Sequence, residues 1–124
     1  MTEALPYLKN AEEILKTVPM EGRIYRDIKP VREAFGTAYL AVLEAVNEVL
    51  QQKGLTKKEL PKSVEAYRSA LKRHVTVQDG KLLREFEHLY DMLHIAGYYR
   101  GLLYDVDVVH TALKSARAFI RKLH

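Results

Sequence analysis

Between Lys81 and Gly101 the chain reads KLLREFEHLYDMLHIAGYYRG, and Leu82, Phe86, Leu89, Leu93 and Ala96 recur there at intervals of three and four. Leu83, Tyr90 and Gly97 widen the stripe. Apolar residues at this spacing share one face of an α-helix, so the segment has to bury a broad side against something else. A helix with so much apolar surface is not stable alone in water, and the stretch predicts a core helix with the rest of the chain packed around it. On its flank Glu87, Asp91, His94 and Tyr98 follow at i, i+4, i+7 and i+11. They form a polar line beside the buried face.

The same periodicity predicts helices on both sides of this one. The first runs from about Thr2 to Val18, with Pro6 in its opening turn, an inward stripe of Leu5, Leu8, Ala11, Leu15 and Val18, and a stop at Pro19. Met20 to Lys29 read as a connection that carries Gly22, with Asp27 the N-cap of the next helix and Pro30 near its start. That second helix, about Ile28 to Lys53, turns Val31, Phe35, Tyr39, Val42, Val46 and Val49 inward and Glu33, Thr37, Glu44, Glu48 and Gln52 outward. Gly54 ends it. Gly36 lies inside it, where glycine costs about 1 kcal/mol against alanine, so the missing side chain is read as room for a neighbour.

Thr56 and Glu59 have capping-box spacing, but Pro61 follows closely and limits that start to a single turn. A short basic helix from about Lys62 to Val75 comes next, with Val64, Tyr67, Leu71 and Val75 inward. Asp79-Gly80 is turn chemistry, Gly101 closes the helix that starts at Lys81, and Asp105 caps a last helix over Val106 to Leu123. The loop between those two is short enough to make them antiparallel. Amphipathic helices with short loops and no alternating strand pattern predict an all-α, up-and-down bundle of four to five helices, a single domain over residues 1–124.

Composition then removes whole classes of chemistry. There is no cysteine, which excludes disulfides, thiolate metal sites and cysteine nucleophiles. No apolar run approaches the roughly 20 residues that span a bilayer, and MTEALPYLKN has no signal-peptide pattern, so a cytoplasmic location is expected. The net charge of +4 is unevenly placed. Lys53, Lys57, Lys58, Lys62, Arg68, Lys72 and Arg73 face only Glu59 and Glu65, while Lys114, Arg117, Arg121 and Lys122 meet no acid after Val108. Both basic faces are read as solvated helix surfaces, with nucleic acid the acidic partner they would suit.

Three motifs place a carboxylate and an imidazole one turn apart: Glu85 with His88, Asp91 with His94, and Asp107 with His110. A dimetal bundle needs two such pairs facing inward and a core glutamate on each of two other helices. Glu44 is expected to point outward and His88 and His110 to sit on polar flanks, so no metal or other cofactor is assigned. Ser63, Ser69 and Ser115 fall in helices with no strand-to-helix elbow around them, which removes a hydrolase triad.

The helix order, with YLKNAEEILK, AFGTAYLAVLEAVNEVLQQKG and GYYRGLLYDVDVVHTALKSARAFIRKL, resembles the HEPN superfamily of nucleotide-associated helical bundles, over nearly the whole chain. It also resembles one of the small uncharacterised bacterial families placed near that fold. The resemblance implies one of two roles. Catalytic HEPN domains are metal-independent ribonucleases that carry an arginine and a histidine with four to six residues between them, usually with a polar residue after the arginine, and pair across a dimer. Arg68 and His74 fit that spacing, as do Arg117 and His124 except for the alanine after the arginine. Non-catalytic members pair with nucleotidyltransferases or other partners. Gly97-Tyr98-Tyr99-Arg100-Gly101 suits that second role, with Gly97 and Gly101 opening an approach and Tyr98 and Arg100 being residue types favoured in interface hot spots. With nine arginines and five histidines an Arg/His match is an ordinary coincidence. The expected function is a HEPN-like, non-enzymatic binding module acting as a homodimer, through Gly97, Tyr98, Arg100 and Gly101. The alternative is RNA cleavage by Arg68 and His74.

Overall fold

A computed structural model describes residues 2–75 and 80–124. Its elements are α1 (Ala4–Lys16), a hairpin of β1 (Met20–Glu21) and β2 (Ile24–Tyr25), α2 (Ile28–Gln52), a 3₁₀ turn (Lys57–Glu59), α3 (Val64–His74), α4 (Lys81–Leu89), a π-helix (Tyr90–Tyr99) and α5 (Val106–Leu123). Where the sequence supplies an oxygen at a helix start, the backbone uses it. Asp27 accepts from the Lys29 N–H at 3.2 Å, Ser63 from Ala66 at 3.1 Å, and Asp105 from Asp107 and Val108 at 2.9 and 3.2 Å. Each bond satisfies an N–H that has no partner within the helix. The Thr56 N–H donates to Glu59 at 2.8 Å, the backbone half of the expected capping box, and the helix it starts is a single 3₁₀ turn before Pro61.

α2 is the hub of the bundle, in place of the segment from Lys81 to Gly101. It packs against α1, α3, the π-helix and α5. Ala34, Ala38, Ala41 and Ala45 are fully buried along it, and side chains this small let several helices approach one cylinder closely. The large core residues, Phe35, Phe86, Phe119, Leu8, Leu71, Leu93 and Ile120, come from α1 through α5 and form one continuous cluster. Among the described residues no polar or charged side chain is fully buried.

Three features depart from the sequence reading. Met20 to Tyr25 form an antiparallel hairpin, with Met20 opposite Tyr25 and Glu21 opposite Ile24, where a plain connection is expected. Its second strand is pinned to the loop before α5, since the Tyr25 N–H donates to the Tyr104 carbonyl at 3.0 Å and the Val106 N–H to the Arg23 carbonyl at 2.8 Å. Glu48 points toward the chain ends and not outward. Its carboxylate accepts from the Thr2 hydroxyl and, at 2.8 Å, from the Glu3 N–H, and it lies 3.4 Å from His124 Nε2. Finally, the helix that starts at Lys81 changes from α to π at Tyr90. Gly80, at φ +69°, precedes it, while Asp79 lies outside the described residues. No described helix is long and apolar enough to cross a membrane.

Candidate functional site

A π-helix bonds i to i+5, so its turn is wider than that of an α-helix, and most examples are single-turn bulges that often mark functional sites. Here it runs for 10 residues. The wider turn brings residues four apart nearly into line along the axis. Tyr90, His94 and Tyr98 therefore stack in succession, with ring centres 5.5 Å and then 5.9 Å apart. Tyr39 of α2 closes on the middle of the column, 4.8 Å from the His94 ring. The polar line of Glu87, Asp91, His94 and Tyr98 expected for a uniform α-helix is thereby split, and Asp91 is exposed.

The π-helix and α2 are joined by a reciprocal contact. Phe35 lies directly on Gly97, where an added Cβ would be 2.3 Å from the ring, and Tyr98 lies on Gly36, where it would be 2.9 Å away. Each helix contributes one glycine and one aromatic ring. The room expected at Gly36 is thus occupied by Tyr98, and the close approach that Gly97 permits is made by α2 of the same chain. Arg32 fastens the far end. Its Nε donates to the Tyr98 carbonyl and its Nη2 to the Tyr99 carbonyl, each at 2.7 Å, supplying donors and positive charge where helix carbonyls lack partners. The chain then leaves through Gly101 at φ +61°, with the Leu102 N–H bonded to the Ala96 carbonyl at 2.8 Å. That is a left-handed closing turn widened by one residue.

Beside the stack, the Arg68 guanidinium lies 5.4 Å from the centre of the Tyr90 ring. Its Nε donates to Glu87 at 2.6 Å and Nη1 pairs with Glu65. The bond to Glu87 holds Arg68 more firmly charged than usual. Tyr67 donates to Asn47 Oδ1 at 2.9 Å. Burial raises the phenols of Tyr39 and Tyr67, so both keep their protons at neutral pH.

The remaining candidates are dispersed. His74 is six residues from Arg68, two-thirds of a turn round the helix, and lines a separate groove with Leu55, Glu59 and Arg73. The two are not brought into one cleft of the chain. Arg117 pairs with Glu12 of α1, and His124 lies against Glu48. Of the carboxylate–imidazole motifs, Glu85 pairs with Lys122 at 2.6 Å, Asp107 with Arg23, and His110 with the Tyr25 hydroxyl at 3.1 Å. Among the described residues no three His, Asp or Glu side chains gather where they could hold a metal ion. Arg100 is exposed, as are Tyr98 and Tyr99, at 43 % and 69 %. Leu40 of α2, one turn from Gly36, is 55 % exposed as well.

The model of the family described as Domain of unknown function (DUF5618) matches residues 1–124. This chain belongs to the DUF5618 family. Among solved structures it is similar to a protein of unknown function from Dyadobacter fermentans, at 33 % identity over 98 % of this chain and 89 % of that one, with a TM-score of 0.77. No curated protein matches it. The expectation of an uncharacterised family is met. In this DUF5618 chain the residues that build the aromatic column and its anchor include Arg32 and Tyr39, neither of which stands out in the sequence as more than a helix residue. Gly36 and Gly97 do carry a signal, as glycines inside helical patterns.

Proposed function

We propose that this DUF5618 chain is a HEPN-like, non-enzymatic interaction module of the cytoplasm that works as a homodimer. The face it uses is the end of the π-helix, where Tyr98, Tyr99 and Arg100 are exposed and Gly97 and Gly101 give the chain its close approach to α2, together with the exposed Leu40 one turn along α2 from the Gly36 on which Tyr98 lies. One observation carries this reading: large apolar side chains are exposed there on a rigid frame. Tyr98 is held by Gly36 and His94, and Arg32 ties the backbone of Tyr98 and Tyr99. Tyrosine and arginine dominate interface hot spots, and exposed apolar side chains that cluster mark contact surfaces. A rigid frame lowers the ordering cost of association. A two-fold dimer needs only one such patch, used twice.

Sedimentation equilibrium tests the proposal. The wild-type chain is expected to be a dimer, and Leu40→Asp or Tyr99→Asp to shift it to monomer with its helical circular dichroism unchanged. These positions are cleaner than Tyr98, whose ring also packs inside the chain. A monomeric wild type, or variants that still dimerise, would remove the assignment. RNA cleavage that is lost in His74→Ala would replace it with the nuclease reading, for which the separation of Arg68 from His74 gives no support.

A further inference from the structure

α1, the hairpin and α5 enclose a groove of about 610 Å³ on a different face from the π-helix. Its floor is apolar, built from Leu15, Val18, Val106 and Leu113. One end is walled by the hairpin, which the Tyr25–Tyr104 and Val106–Arg23 backbone bonds hold in place. At that wall the Tyr25 hydroxyl and His110 Nε2 lie 3.1 Å apart.

The rim has the opposite character. Lys16, Lys114 and Arg117 line the groove with Glu12 as the only acid among its lining residues, and Glu12 is already paired with Arg117. Lys16 reaches Glu13 at 3.5 Å, but both side chains are more than half exposed, and such a pair is weak and screened by salt. Lys114 has no acidic partner among the described residues. An apolar floor under an excess of positive charge complements a molecule with an apolar body and one negative end. The volume falls within the roughly 300–1,000 Å³ typical of small-molecule sites. The walled end argues against a long partner helix lying through the groove.

We propose that this groove binds a small amphiphilic carboxylate, its acyl or aryl body on Leu15, Val18, Val106 and Leu113 and its carboxylate at Lys114 and Lys16. The site is independent of the self-association face. Octanoate, octanol and octyltrimethylammonium share one chain length and differ in the charge of the head, so titrating each into isotope-labelled protein separates charge from apolar contact. Octanoate is expected to shift the amide resonances of Leu15, Val18, Val106 and Leu113 and to bind at least about tenfold more tightly than octanol, while the ammonium compound leaves them in place. Lys114→Glu is expected to weaken octanoate about tenfold and leave octanol unchanged. Lys58→Glu, on the 3₁₀ turn, is expected to alter neither. Equal affinity for the three compounds, shifts confined to other residues, no binding by any of them, or an equal loss in the two lysine variants would overturn the assignment.

Discussion

Gly36 and Gly97 occupy matching places in the contact between α2 and the π-helix, yet an added methyl would meet different neighbours. At Gly97 it would lie 2.3–2.7 Å from three atoms of the Phe35 ring, which is fully buried and has nowhere to turn. At Gly36 it would lie 2.9 Å from the ring of Tyr98, a residue 43 % exposed, which can give by a few tenths of an ångström toward solvent without leaving its place against His94. Gly97→Ala is therefore expected to destabilise the fold by about 2–3 kcal/mol, the upper range for overpacking a core. Gly36→Ala gains about 1 kcal/mol of helix propensity against a smaller clash and is expected to be within about 1 kcal/mol of wild type. Urea denaturation of the two variants checks the order. Equal losses would mean that Phe35 yields as easily as Tyr98. Both glycines are visible in the sequence as anomalies, but the ring that each one seats lies some sixty residues away, and periodicity carries no information about that pairing.

At the scale of the element, the passage from α to π is the feature least legible in advance. The buried residues Phe86 and Leu89 are three apart, after which Leu89, Leu93 and Gly97 repeat at four. Spacings of three and four both belong to an amphipathic α-helix, so the run of fours did not separate the two forms. What does hold the wider turn is tertiary: Phe35 on Gly97, the ring of Tyr39 against His94, and Arg32 on the last carbonyls. The hairpin escaped for a related reason, since two-residue strands are too short to show alternation and depend on the loop before α5 for their bonds. By contrast α5 and the caps at Asp27 and Asp105 were legible, because a stripe and an N-cap are local properties of the chain. The role of Arg32 can be measured. Arg32→Ala removes two charge-assisted bonds from the end of the π-helix, worth about 1 kcal/mol at an exposed position. Faster amide exchange is expected at Arg100 and Leu102, whose N–H groups bond to Ile95 and Ala96, while α5 keeps its protection. Unchanged exchange at those two amides would mean that the turn at Gly101 is sufficient without Arg32.

For the whole molecule, the pairs Lys16–Glu13, Arg23–Asp107 and Arg26–Glu21 contribute little to the pH dependence of stability near neutrality, because they lie at the surface and are screened. The tyrosines act differently. Burial raises the phenols of Tyr25, Tyr39 and Tyr67 above the ordinary value near 10, in α2, in α3 and in the hairpin, so the effect is spread through the bundle. Below about pH 10 these groups are protonated in both the folded and the unfolded chain, and the stability they permit is fully present. Above it the unfolded chain loses protons that the folded one keeps, so stability falls as pH rises, by up to about 1.4 kcal/mol per pH unit for each tyrosine until its folded value is reached. Tyr39 offers the clearest test, since it is 8 % exposed and its hydroxyl makes no hydrogen bond among the described residues. Tyr39→Phe is expected to match wild type at pH 8 within about 1 kcal/mol. At pH 11 wild type should have lost about 1.4 kcal/mol more than the variant, as read by urea denaturation at the two pH values. A parallel decline in the two proteins would show that Tyr39 ionises as readily in the folded chain as in the unfolded one, and that the column against His94 admits water.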